Sequence, residues 1–135
     1  MTSCGVWLYR KRLVAVVVDD DGRASPALFA ATNDDARWDL LASIDAVHGL
    51  DCELVLPEDL LKFDSIGRLA LKRGASVSIA PQRLVDAIRI AAGFGTGPPS
   101  RVAAMVARLF IVPALRGHLR RLDQRNDERR QLPLL

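Results

Sequence analysis

A chain of 135 residues, 50% hydrophobic and 26% charged, is long enough for one domain whose core needs neither disulfides nor metal. Its net charge of +3 is too mild to argue for a nucleic-acid partner unless the basic residues cluster. No apolar run approaches the roughly 20 residues of a membrane span, and MTSCGVWLYRKR has no basic region ahead of an apolar stretch, so a cytoplasmic protein with reduced thiols and no membrane partner is expected.

The stretch Gly5–Gly22 organises the chain. Two β-prone runs, Gly5–Tyr9 and Leu13–Val18, flank the basic triplet Arg10-Lys11-Arg12, and the second ends in the turn signal Asp19-Asp20-Asp21-Gly22. This reads as a hairpin followed by a third strand at Ala27–Ala31, whose start suits Pro26 because proline cannot donate to a ladder. Thr32 or Asn33 can cap the next helix, with Asp34 and Asp35 where the helix dipole favours negative charge. Leu40, Leu41, Ile44 and Val47 recur at helical spacing, and Gly49 sits where a helix most often stops.

Glu53–Leu56 then forms a short strand closed by Pro57. A helix with Glu58 and Asp59 in its first turn carries Leu60, Leu61, Ile66, Leu69 and Ala70 on one face and stops at Gly74. Ser76–Ala80 is a further strand, ended by Pro81. Helix and strand alternating in this way imply parallel crossovers. A third helix covers about Gln82–Ala92, and Gly93–Pro99 reads as an exposed loop, a poor phosphate cradle because no Lys follows it. Ser100 is the expected cap of a long last helix, Arg101 to about Arg121, which Pro113 should kink or break by removing a backbone donor. Beyond Pro113 the chain is basic, with Arg116, Arg120, Arg121, Arg125, Arg129 and Arg130 interleaved with Asp123, Asp127 and Glu128.

The order of meander, helix, strand, helix, strand, helix resembles the ribonuclease H-like fold. GVWLYRKRL followed by VAVVVDDDGR resembles the opening of insertion-sequence transposases with a DEDD carboxylate set, which begin with a glycine, an aliphatic residue and an aspartate and close a strand with Asp-x-Asp-Gly. Ser78–Asp86 resembles their strand followed by Asn-Pro-x-x-Val, and Ser100–Leu109 their helix bearing the last two aspartates. The resemblance spans about residues 4–112. It implies an α/β, three-layer domain with a mixed five-stranded sheet of order 3-2-1-4-5, strand 2 antiparallel, flanking helices and a long C-terminal helix. The expected division is a ribonuclease H-like domain at 1–112 and a basic, helical C-terminal extension at 113–135. Cys4 and Cys52, the only cysteines, then precede neighbouring parallel strands and should lie close without being bonded.

The chemistry implied by that family needs carboxylates from separate elements converging on two divalent cations. Here the first aspartate is matched by Trp7. The acid after the fourth strand is matched by Pro57 or, with one residue of slip, by Glu58, and the last two by Ser100 and Ala103. One carboxylate does not hold a metal pair, so the expectation is a catalytically inactive module related to mobile-element recombinases, acting in binding or assembly. No cofactor or metal is expected, since no zinc spacing or His cluster accompanies the cysteines. Glu58 and Asp59 remain the nearest candidates for catalytic acids. A nuclease built from recruited acids would have to draw on Asp19–Asp21, Glu58, Asp59, Asp64 and Asp86, most of which suit turns and helix starts.

Two partners are expected. Apolar residues on more than one face of Val102–Leu119 point to a homo-oligomer through the C-terminal helix, unless that helix packs on its own sheet. Arg10, Lys11 and Arg12 at one hairpin end, with Arg116, Arg120, Arg121 and the rest of the Arg116–Arg130 cluster, point to nucleic-acid phosphates, although the interleaved acids also suit a solvated helix. No nucleophile elbow, Rossmann fingerprint, Walker motif or His-containing triad spacing is present.

Overall fold

The computed structural model describes residues 2–49, 51–93 and 98–123. Strands β1 (Thr2–Tyr9), β2 (Arg12–Val18), β3 (Leu28–Ala31), β4 (Cys52–Pro57), β5 (Val77–Ala80) and β6 (Arg120–Leu122) form one sheet of order β3-β2-β1-β4-β5-β6. β1, β4 and β5 run parallel; β2 is antiparallel to β1 and β3, and β6 to β5. Helices α1 (Asp34–His48), α2 (Glu58–Phe63) and α3 (Ile66–Lys72) bury one face against Cys4, Val6, Leu13, Leu54, Leu56 and Ile79. Helices α4 (Gln82–Ala92) and α5 (Pro99–Ile111) cover the other, where Val85, Val102, Met105 and Leu109 meet Val55 and Ala80, and Ala103, Ala104 and Ala107 meet Val14, Val16 and Val18. β2 is therefore sandwiched on both faces, which explains why Leu13–Val18 reads as an unbroken apolar run rather than an alternating one.

β1 and α5 lie backbone against backbone. A β-carbon on Gly5 would overlap the Ala103 carbonyl oxygen and lie 2.5 Å from the Ala107 nitrogen, so only glycine lets the helix backbone rest on the strand. Ser3 adds a hydrogen bond, its hydroxyl donating to the Ala107 carbonyl. Because Ala107 sits over Ser3 and Ala103 over Gly5, α5 runs antiparallel to β1, and its N-terminus overhangs the carboxyl ends of the parallel strands.

α1 starts as expected, with the Asn33 side chain accepting from the Ala36 N–H at 2.9 Å, and stops at Gly49, whose φ is 76°. Cys4 and Cys52 lie as expected too. They are free and buried in one core, on adjacent parallel strands whose register pairs Thr2 with Cys52 and Cys4 with Leu54. Burial pushes both thiols up from their ordinary range.

Several elements depart from expectation. The helix after Pro57 is two helices, broken where Asp64 turns extended at φ −141°, ψ 151°. Asp64 is buried; its carboxylate accepts from the Ile66 N–H at 2.9 Å and from both Nε and Nη2 of Arg37, the latter at 2.7 Å. That fork-like pair ties the break to α1 and raises the Arg37 guanidinium further above its ordinary value. The last helix begins at Pro99, with Pro98 rather than Ser100 at the cap position, because proline at the first helical residue loses no needed donor.

That helix does not reach Arg121. Val112 takes φ −81°, ψ 114°, the extended geometry that a following proline imposes, and α5 ends there. A single turn, α6 (Pro113–Arg116), leads to β6, where Arg120 and Arg121 are strand residues and Leu122 is buried opposite Val77. The sheet thus has six strands rather than five, and the described part of the basic extension is not helical beyond α6. Most apolar residues of α5 are buried on its own sheet, as the intrachain alternative required. Arg125, Arg129 and Arg130 lie outside the described residues.

Candidate functional site

The carboxyl ends of β1, β4 and β5, beneath the start of α5, gather the residues singled out by the sequence. Trp7 is half-buried on β1, and the guanidinium of Arg89 on α4 stacks over its ring at 4.7 Å from the centroid. A chain of polar contacts runs away from that stack. Arg89 lies 3.9 Å from the Asp86 carboxylate, Asp86 accepts from the Gln82 amide at 3.0 Å, and the Gln82 carbonyl accepts from the Asp59 backbone N–H at 3.1 Å. Glu58, one residue past β4, faces Arg120 of β6 at 3.6 Å. A cavity of about 150 Å³ opens here, lined by Trp7, Leu8, Pro57, Asp59, Leu60 and Phe63.

These residues do not suit a metal pair. An indole offers no oxygen to a hard cation, and an arginine lies over it. Glu58 has a cationic neighbour, and Ser100 and Ala103 supply no carboxylate. Among the described residues, no three His, Cys, Asp or Glu side chains converge as a metal ion would require. The other acids are dispersed by the fold. Asp19 Oδ1 accepts from the N–H groups of Asp21 and Arg23 within its own turn, Asp64 is held by Arg37, and Asp86 by Gln82 and Arg89.

The basic residues divide in the same way. Tyr9 pairs with Arg12 in the β1–β2 ladder, leaving Arg10 and Lys11 as a two-residue loop with φ of 49° and 62°. Positive φ at both positions is the pattern of a type I′ turn, which normally takes Asn-Gly or Asp-Gly. Two long cations hold a conformation that costs an L-residue roughly 1 kcal/mol or more each. Arg10 stacks on its neighbour Tyr9 at 5.2 Å, and Arg12 on Phe29 of β3 at 5.5 Å. The tight turn therefore lies at the basic triplet, and the Asp19–Gly22 motif shapes the longer β2–β3 connection.

Arg116 stands elsewhere. Its guanidinium donates to the Phe110 and Ile111 carbonyls and stacks on Phe110 at 4.8 Å, serving the exposed C-terminal carbonyls of α5 at the opposite end from the hairpin tip. Arg121 donates to the Ser76 hydroxyl at 2.9 Å. The structure brings Arg10, Lys11, Arg12, Glu58, Asp59 and Arg120 to one end of the sheet and leaves Arg116 out. Sequence reasoning missed Arg89, for which no local signal exists, because it meets Trp7 through tertiary packing alone. It also missed Phe29, although alternation within β3 puts that ring on the opposite face from the buried Ala30.

No protein-family model and no curated protein matches the chain. Among solved structures it is similar to T. thermophilus RuvC in complex with a Holliday junction substrate, with a TM-score of 0.59 over 90% of this chain and 99% of that one, at 16% sequence identity. Together with the sheet order, the likeness establishes a ribonuclease H-like fold, the class that the element order had implied.

Proposed function

We propose that this chain is a ribonuclease H-like module, related to mobile-element recombinases, that binds nucleic acid at the carboxyl end of its sheet without cutting it. The observation that carries the reading is Trp7 beneath Arg89, an aromatic–cation stack at the position where the transposase resemblance puts the first catalytic acid. Arg10, Lys11 and Arg12 project from the same end, and the structurally similar RuvC was captured with a DNA junction. Phosphate contacts from such a basic edge give an affinity that falls as salt rises. Incubating the full chain with labelled single-stranded, duplex and junction DNA in Mg²⁺ or Mn²⁺ tests both halves of the reading. Binding that weakens between 50 and 200 mM salt, with no cleavage, is the expected result. Metal-dependent cleavage that Glu58→Gln abolishes would overturn the non-catalytic half.

Assembly is a second reading, and its support lies at α4 rather than along α5. Ile90 on α4 is 81% exposed. A homodimer would then form through α4 rather than through the C-terminal helix. Light scattering of the wild type and Ile90→Glu checks it, with a mass that halves in the variant as the expected outcome.

A further inference from the structure

We propose that the nucleic acid is single-stranded and that it follows a track along the α5 side of the sheet, from a groove beside Arg101 and Arg108 to the hairpin tip. This rests on the nucleic-acid reading above and names its ligand class and path. Register puts the stations of the track on one face. Trp7, Val14 and Phe29 stand in one cross-strand row of β1, β2 and β3, and Tyr9, Arg12 and Ala31 in the row two residues further toward the strand ends. α5 buries Val14 but leaves Phe29 54% and Tyr9 42% exposed. In the opposite direction the same face continues through Val16 into a cavity of about 600 Å³, bounded by α5 and the Ala24–Ala27 segment.

The walls of that cavity are cationic. Arg101 and Arg108 are exposed on α5, with Ala104 between them, seven residues apart and so about 10.5 Å along one side of the helix at 1.5 Å per residue. Arg108 also donates to the Gly22 carbonyl at 3.2 Å, pinning the β2–β3 connection against α5 and holding the groove open. A polyanion lying there meets Arg108, Arg101, Arg12, Arg10 and Lys11 in succession.

Two exposed rings on the track argue for unpaired bases. Phe29 and Tyr9 each already carry a guanidinium, at 5.5 and 5.2 Å, in the way that arginine and an aromatic ring jointly hold a stacked base. A duplex keeps its base faces stacked inside and can offer this surface phosphates alone, whereas a single strand can turn bases onto the rings, as on the open sheets of RNA-binding modules. The groove floor of Val16, Ala27 and Ala104 is apolar, which suits a base or sugar rather than a row of phosphates.

Fluorescence anisotropy with the full chain, labelled dT20, labelled rU20 and a blunt 20-base-pair duplex at matched salt tests the proposal. The expected result is single-strand affinity at least tenfold above duplex, with the two single strands deciding between DNA and RNA. Phe29→Ala should weaken single-strand binding about tenfold and leave duplex binding unchanged, since base stacking on an aromatic is lost, and Phe29→Trp should restore it. Arg101→Glu should weaken single-strand binding, and an affinity unaltered by it overturns the path through the groove. Duplex binding as tight as single-strand binding, or unaltered dT20 and rU20 affinity in Phe29→Ala, overturns the single-strand track while the nucleic-acid reading stands. No binding to any of the three probes overturns both.

Discussion

At Gly5 the first strand lies so close under α5 that no side chain fits between them, and four residues further along the same strand Tyr9 is 42% exposed beside a strained turn of two cations. The amino half of β1 is chosen for packing: Ser3, Cys4, Gly5 and Val6 are all buried, and the helix above presents Ala103 and Ala107. The carboxyl end gives up some of that economy. It keeps Arg10 and Lys11 where Asn-Gly would fit more easily, and it leaves aromatic rings partly in water under arginines. Local choices that cost stability without serving the core are what a binding edge looks like, whereas the Gly5 contact is what a fold requires.

Substitutions can sharpen or break that contrast. The largest effect is expected on the closed side, where Asp64→Ala leaves the Ile66 N–H without its acceptor and Arg37 with Asp34 alone, and should cost about 3 kcal/mol by urea unfolding. Gly5→Ala forces α5 off the strand against backbone atoms rather than movable side chains. It should lie at the upper end of overpacking costs, about 3 kcal/mol, and lower the melting temperature accordingly.

The buried thiols give a pH dependence of definite sign. Burial raises the Cys4 pKa above its ordinary 9.0, so the unfolded chain loses this proton first. Stability from this source is complete below that value and declines as pH rises past it, by at most about 1.4 kcal/mol per pH unit. Urea midpoints from pH 7 to 10 should therefore fall less steeply in Cys4→Ala than in the wild type. A slope unchanged by the substitution would remove the thiol from the account.

The smallest effect has the opposite direction. Replacing Arg10-Lys11 by Asn-Gly removes the left-handed L-residue at position 11 and puts one that tolerates positive φ at position 10, and should stabilise the fold by about 1 kcal/mol while weakening the proposed nucleic-acid binding. Gain in stability together with loss of binding would make the contrast between the two ends of β1 quantitative. A double substitution that loses stability would show instead that the cations support the hairpin.

Much of the fold was legible because its signals are local. The Asn33 cap, the Gly49 stop and the doubly buried run of β2 each follow from the residues themselves. Even the neighbouring placement of Cys4 and Cys52 followed once strand order was known. What the sequence left open lay at a proline and an aspartate. Pro113 was expected to kink or break the last helix; acting through Val112 it ends the helix, and the stretch expected to stay helical to Arg121 becomes β6, with Leu122 buried opposite Val77. Asp64 was weighed as a recruited acid against a turn or cap residue; it accepts from the Ile66 N–H, and nothing near it in sequence announces Arg37, 27 residues away.

The sequence by itself determined the first five strands, the helices among them and their order, because propensity, capping and residue identity act within a few positions. Tertiary structure alone decided the sixth strand, the stacking of Arg89 on Trp7, the separation of Arg116 from the hairpin tip, and the alignment of Tyr9, Arg12 and Phe29 with Arg101 and Arg108 along one face. Those depend on which strands pair and which helix lies over them. That choice rests on burying apolar surface from the whole chain at once, and no short window of residues contains it.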